Sequence, residues 1–353
     1  FCPFSGNTLP SEFHIWKQQY LENISSLRDE ESVQWESMEK GWEKYEANGY
    51  GYEGFAAREF SNYLFSIPPA SNPYNYHHDP AKLATNLSSL KDKILAYEAA
   101  VHKDPENYLA WYNLGIEQQK NEMDVQAIAA LQKASKAYPE AFVRLAASCS
   151  NESCIPDAMD ALESWLKATT GLTEIPGIQT PDRISGLIRE VSILQSSLPD
   201  VNVALSILFS INGNHNQAIE HLERALNGEP NKVEILNRYG ALHANSQDYT
   251  EALKCYEKAL KLSDPFPRLY FNKGISEMCT KNHLEACRSF LKALDLQLPV
   301  DIVQGTRSEL VERYTCIWDM LRTNIEVSDL AGREDLLVHC HSRNLSGLKS
   351  TLL

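Results

Sequence analysis

The sequence predicts an all-α superhelix assembled from tandem helical hairpins. Three observations predict it. Ala218, Ala252 and Ala286 stand 34 residues apart. In the same register run Leu222, Tyr256 and Phe290, followed by Ala225, Ala259 and Ala293. Each period has a small residue ahead of it (Ser206, Gly240, Gly274) and a helix stop behind it (Pro230, Asp264-Pro265, Pro299).

A 34-residue helix-turn-helix period is the tetratricopeptide pattern. The small residues let helix A and helix B of one repeat approach closely. The large residue at the Leu222/Tyr256/Phe290 position is expected to fill the gap between repeats. Proline ends helix B because it lacks an amide hydrogen and clashes with the preceding turn. Trp111, Leu114, Gly115, Ala127, Leu131, Ala134 and Pro139 repeat the signature earlier in the chain. A looser copy follows at Phe142, Leu145, Ala146, Ala158, Leu162 and Trp165, and a partial one ends in Ala96, Tyr97, Ala100 and Pro105. We therefore expect two sets of about three repeats, at 80–170 and 199–298. Residues 171–198 break the register with Thr, Pro and Gly before an apolar-periodic helix resumes at Ile184, Leu187, Ile188, Val191 and Leu194. They read as a distorted repeat that hinges the sets. Residues 299–353 read as a C-terminal helical bundle, with Leu310, Tyr314, Ile317, Trp318 and Leu321 on one face. Residues 1–79 read as a partly ordered, aromatic-rich arm.

Composition narrows the function. Of 353 residues, 43% are apolar, enough to bury a core. The net charge is -14, which disfavours nucleic acid, whose binding needs a basic face. No stretch approaches the roughly 20 apolar residues of a membrane span. The 8 cysteines show neither a paired framework nor zinc-finger spacing, so they read as free thiols in a reducing compartment. The chain opens on Phe1 rather than Met, and we expect it to be part of a longer protein. There is no nucleophile elbow, phosphate loop or zinc-protease motif, so the expectation is a non-enzyme without cofactor or metal. His77-His78-Asp79 sit in a loop, where adjacent imidazoles do not easily reach one ion.

Stacked helix A faces line the concave side of such an array. Asn237 and Asn245 lie eight residues apart on one helix face, with Arg238 beside them. Arg268, Asn272 and Ser276 follow at four-residue steps on the next helix A, and Asn121 and Asn151 end two earlier ones. Side-chain amides carry both donors and an acceptor, matching the backbone of an extended peptide. Arg238 and Arg268 suit a carboxylate.

The segments Leu236–Asn245 and Arg268–Ser276 resemble the peptide-binding helices of the peroxin-5 family, the peroxisomal import receptors for C-terminal signals of the Ser-Lys-Leu type. Gln119-Lys120-Asn121-Glu122 and Ser150-Asn151-Glu152-Ser153 resemble that family's N-terminal repeats. Ile317-Trp318 to Leu321 resembles its closing bundle, and Tyr63-Leu64-Phe65 with Asn72-Pro73-Tyr74 its entry segment. The likeness covers residues 60–325. It implies that Asn121, Asn151, Asn237, Asn245 and Asn272 hold the peptide backbone and terminal carboxylate, with Arg268 in support. It implies that Glu122 receives the Lys of the signal and that Ala241 lines a pocket for the final Leu. Trp16 and Tyr20 match the family's W-x-x-x-F/Y membrane-docking peptide.

Arg238, Tyr239 and Cys279 depart from the family's Lys, Leu and Asn, which implies a divergent member or paralogue with a variant signal preference. The expectation is a cytoplasmic receptor that cycles to the peroxisomal membrane. Its partners would be cargo proteins with Ser-Lys-Leu-like ends and membrane docking proteins. The alternatives are a co-chaperone or an assembly scaffold that binds another protein's tail.

Overall fold

The computed structural model describes residues 63–174, 183–193, 199–228, 232–298, 308–327 and 333–352. Among them there is no strand. After two single 3-10 turns at Pro69–Ser71 and Pro73–Tyr76, sixteen helices follow, numbered here in chain order. They are α1 (Pro80–Ala84), α2 (Leu90–Lys103), α3 (Tyr108–Lys120), α4 (Asp124–Ala134), α5 (Glu140–Asn151) and α6 (Ile155–Thr170). Then come α7 (Arg183–Ile193), α8 (Pro199–Ile211), α9 (His215–Gly228), α10 (Val233–Asn245) and α11 (Tyr249–Leu262). The last are α12 (Pro267–Cys279), α13 (His283–Leu296), α14 (Ser308–Val327), α15 (Glu334–His341) and α16 (Leu345–Leu352). The fold is all-α and built of tetratricopeptide hairpins: α3 packs on α4, α5 on α6, α8 on α9, α10 on α11 and α12 on α13.

One turn recurs at every hairpin. A residue in the left-handed region stands between the paired helices: Glu122 (φ 62), Ser153 (φ 57), Gly213 (φ 71), Gln247 (φ 64) and Lys281 (φ 63). The next amide then reaches back five residues: Met123 N–H to Gln118 O (3.0 Å), Cys154 to Cys149 (2.8 Å), Asn214 to Phe209 (2.8 Å), Asp248 to His243 (2.9 Å) and Asn282 to Glu277 (2.8 Å). This bond satisfies a carbonyl that the end of helix A would otherwise leave unpaired. Arg343 (φ 51) and the bond from Asn344 N–H to His339 O (2.8 Å) give α15–α16 the same turn.

The repeated alanines and the large residue that follows them are buried. The large residue lies over the glycine of its own hairpin, and Tyr256 also reaches Ser276 of the next hairpin, as expected of a residue that fills the gap between repeats. A methyl group added at Gly240 would stand 2.6 Å from Tyr256 Cε1, and at Gly274 2.7 Å from Phe290 Cε1. At Gly115 it would stand 2.6 Å from Leu131 Cγ. Helix A therefore needs glycine where the partner ring crosses it.

The two halves of the array stack directly. The first helix of the later hairpins, α8, packs on α5 and α6 as well as on α7. Arg183 ties α7 to α6 through Asp160 (2.6 Å) and Glu163 (2.7 Å), and Leu187 and Val191 bury its inner face. The array then curls until α12 meets α3.

Candidate peptide-binding cavity

The helix A faces of α3, α5, α8, α10 and α12 converge on a cavity of about 360 Å3. Its existence depends on the two ends of the curl meeting. Arg268 of α12 reaches across and donates from Nη2 to Asp124 Oδ2 at 2.5 Å, while its Nε lies 2.9 Å from Glu122 Oε2. All three side chains are buried. Lys120 of α3 lies 3.6 Å from Glu234 of α10, and Lys91 Nζ donates to Asp295 O at 2.7 Å.

Seven of the ten side chains singled out for peptide binding line this cavity: Asn151, Asn237, Arg238, Ala241, Asn245, Arg268 and Asn272. Asn272 Nδ2 donates to Asn237 Oδ1 at 3.1 Å, so each amide fixes the other. That bond uses one hydrogen of Asn272 and one lone pair of Asn237. The pair keeps further donors and acceptors for a ligand. Asn151 is anchored from below, donating to Asp124 Oδ2 at 3.1 Å. Asn245 stands exposed at the rim.

Arg238 is the outlier. Among the described residues its guanidinium has no ion-pair partner, and its Nε is buried without a hydrogen bond. Burial draws its pKa down to about 10, against the attraction of Asp124 and aided by Arg268, which leaves it charged at neutral pH. A desolvated cation without a counter-ion is costly unless a ligand supplies the anion.

Three expected residues do not line the cavity. Asn121 is wholly buried and clasps the far end of the array. Its Nδ2 donates to Leu298 O (2.9 Å) and its Oδ1 accepts from Leu298 N–H (2.8 Å). Both polar ends are engaged within the chain. Glu122, expected to receive a ligand lysine, is paired with Arg268 in the unliganded chain. Ser276 is wholly buried, with its hydroxyl on Asn272 O (3.2 Å) and against the Tyr256 phenol. It sits between the α10–α11 and α12–α13 hairpins. Trp16 and Tyr20 lie outside the described residues.

The sequence reading missed Asp124 and Arg144. Asp124 opens α4, where an acid reads simply as a complement to the helix dipole. Arg144 could have been found: it lies two turns before Asn151 on one helix face, and it lines the cavity. Its Nε donates to Tyr112 Oη at 3.2 Å, and its guanidinium stands 5.8 Å from the Tyr112 ring centroid.

Comparison with known proteins agrees with this architecture. Residues 233–265 match the tetratricopeptide repeat family. The peroxisomal targeting signal receptor of Candida albicans is 30% identical over 314 residues, covering 83% of this chain and 52% of that protein. That of Kluyveromyces lactis is 32% identical over 261 residues, covering 68% and 46%. The PEX5-related protein of Rattus norvegicus is 29% identical over 274 residues, covering 68% and 45%. The chain spans about half the length of the curated relatives it matches.

Proposed function

We propose that this chain, a relative of the peroxisomal targeting signal receptors, takes the C-terminal tail of a cargo protein into its central cavity. The observation that carries the reading is Arg238, a half-buried cation whose Nε has no hydrogen bond and which makes no contact ion pair among the described residues, beside the paired amides of Asn237 and Asn272. A terminal carboxylate supplies the missing charge, and the amides read the peptide backbone behind it. The side chain of the last residue packs beside Ala241, in keeping with a terminal Leu. The signal is of the Ser-Lys-Leu type, and the loaded receptor delivers its cargo to docking proteins at the peroxisomal membrane. Trp16 and Tyr20 are the proposed docking contact.

A fluorescence titration tests the reading. A peptide ending in Ser-Lys-Leu binds, and the same peptide with an amidated end binds much more weakly. Equal affinity for both removes the carboxylate from the mechanism. Asn272→Ala weakens binding by about 1–3 kcal/mol, the cost of leaving a buried polar group unpaired.

A further inference from the structure

We infer that Tyr63 and Glu98 are positioning residues for the cavity, because docking of the 63–66 segment orients the clasp that holds the array closed. The link is a continuous line of buried hydrogen bonds. Ser66 donates to Glu98 Oε1 from its amide (2.8 Å) and its hydroxyl (2.7 Å), and the Tyr63 hydroxyl donates to the same oxygen (2.8 Å). Tyr63 Oη accepts from Gln118 Nε2 (2.7 Å), and Gln118 Oε1 accepts from Asn121 Nδ2 (3.1 Å). Asn121 then grips both backbone groups of Leu298. Ser66, Glu98, Gln118 and Asn121 are all 0% exposed.

The line has a direction. Glu98 Oε1 already accepts from the Ser66 amide and hydroxyl and so carries no proton itself, whichever state the carboxyl is in, and the single Tyr63 proton points at it. The phenol then offers only lone pairs to Gln118, which must turn its NH2 group toward Tyr63. Its oxygen consequently faces Asn121. That fixes the Asn121 amide with NH2 toward Leu298 O and oxygen toward Leu298 N–H. Without the phenol, Gln118 loses the reason for its orientation, and the flipped amide sets NH2 against NH2 at Asn121. Glu122, next in the chain, pairs with Arg268 in the cavity wall, so a loosened clasp reaches the binding surface.

Hydrogen exchange at the Leu298 amide reads the clasp directly, on the unliganded 353-residue chain. In Tyr63→Phe, Leu298 exchanges about five- to tenfold faster, the equivalent of one lost hydrogen bond, although residue 63 does not touch it. Asn121→Ala gives the same effect, and the double substitution exceeds Asn121→Ala by little. Exchange at Leu131 in the hairpin core stays unchanged and reports an intact fold. Should Tyr63→Phe unfold, Gln118→Met breaks the line at its next link. Unchanged Leu298 exchange, or independent addition of the two effects, overturns the inference.

The positioning role rests on the proposed receptor reading, and its readout is affinity for a peptide ending in Ser-Lys-Leu. Affinity falls in Tyr63→Phe by the factor seen in exchange. Faster exchange with unaltered affinity also overturns the inference. Failure of the parent chain to distinguish acid from amide sinks the receptor reading alone.

Discussion

Arg268 and Arg238 carry the same charge on neighbouring repeats, and their surroundings divide the work between them. Arg268 is answered by Glu122 and Asp124, so removing it strands two buried carboxylates. Arg268→Ala is expected to cost about 3–5 kcal/mol of stability in urea unfolding, the range for breaking a buried ion pair. Arg238 makes no contact ion pair among the described residues and feels Asp124 only at longer range, where Arg268 already holds that carboxylate, so Arg238→Met leaves stability unchanged or raises it while peptide affinity falls. A loss of stability in Arg238→Met would mean that the guanidinium serves the scaffold. Glu98 makes a third case. Burial lifts its pKa from 4.5 to about 7, against the pull of three donors on Oε1. The folded state thus holds this proton more tightly than the unfolded chain. Its contribution is complete below pH 4.5 and is lost as pH rises through about 7, a swing of about 3 kcal/mol. Glu98→Gln abolishes that swing, so the parent chain loses more unfolding free energy than the variant between pH 4.5 and 7.5. Parallel pH curves for the two proteins would contradict this.

The hairpins were legible from the sequence because their cause is local. Alanine at 218, 252 and 286 and the bulky residue four positions on are dictated by contacts within one repeat, and these recur with the period. Gly240 shows how tight that local rule is, since a methyl group there meets the Tyr256 ring. Gly240→Ala is therefore expected to destabilise by about 1–3 kcal/mol through overpacking. Adding Tyr256→Leu recovers part of the loss, and a double variant no better than Gly240→Ala would place the strain elsewhere. The cavity-facing side chains of α10 and α12 were legible for the same reason, since a helix face follows from spacing alone. Asn121 and Glu122 were not. Both stand in the turn of the first complete hairpin, and what they touch is decided by where the far end of the curl arrives. The bond from Asn121 to Leu298 spans 177 residues, and no periodicity encodes it. Ser276 shared the four-residue step of Arg268 and Asn272, yet one further turn carried it beneath the wall and onto Tyr256.

At the scale of the whole molecule the decisive property is closure. A linear stack of repeats contacts only its neighbours and gains nothing from bending its ends together. Among the described residues the ends are joined by the Asn121 clasp, the Arg268 pairs, the Lys120–Glu234 pair and the Lys91 bond to Asp295 O. The cavity wall draws residues from both halves, so an open array presents only part of it. Ligand binding and closure are then one equilibrium, and apparent affinity scales with the closed fraction. Combining Asn121→Ala with Lys91→Met removes two of these joins without touching a hairpin core. The radius of gyration in small-angle scattering should rise while helix content by circular dichroism holds. A saturating free-acid peptide should restore the compact form, since a ligand at 100-fold over its Kd stabilises the state it binds by about 2.7 kcal/mol. The amidated peptide should not. A double variant as compact as its parent would assign closure to Arg268 and the α12–α3 packing. An expanded variant that binds with undiminished affinity would mean that one half of the array suffices to hold the tail.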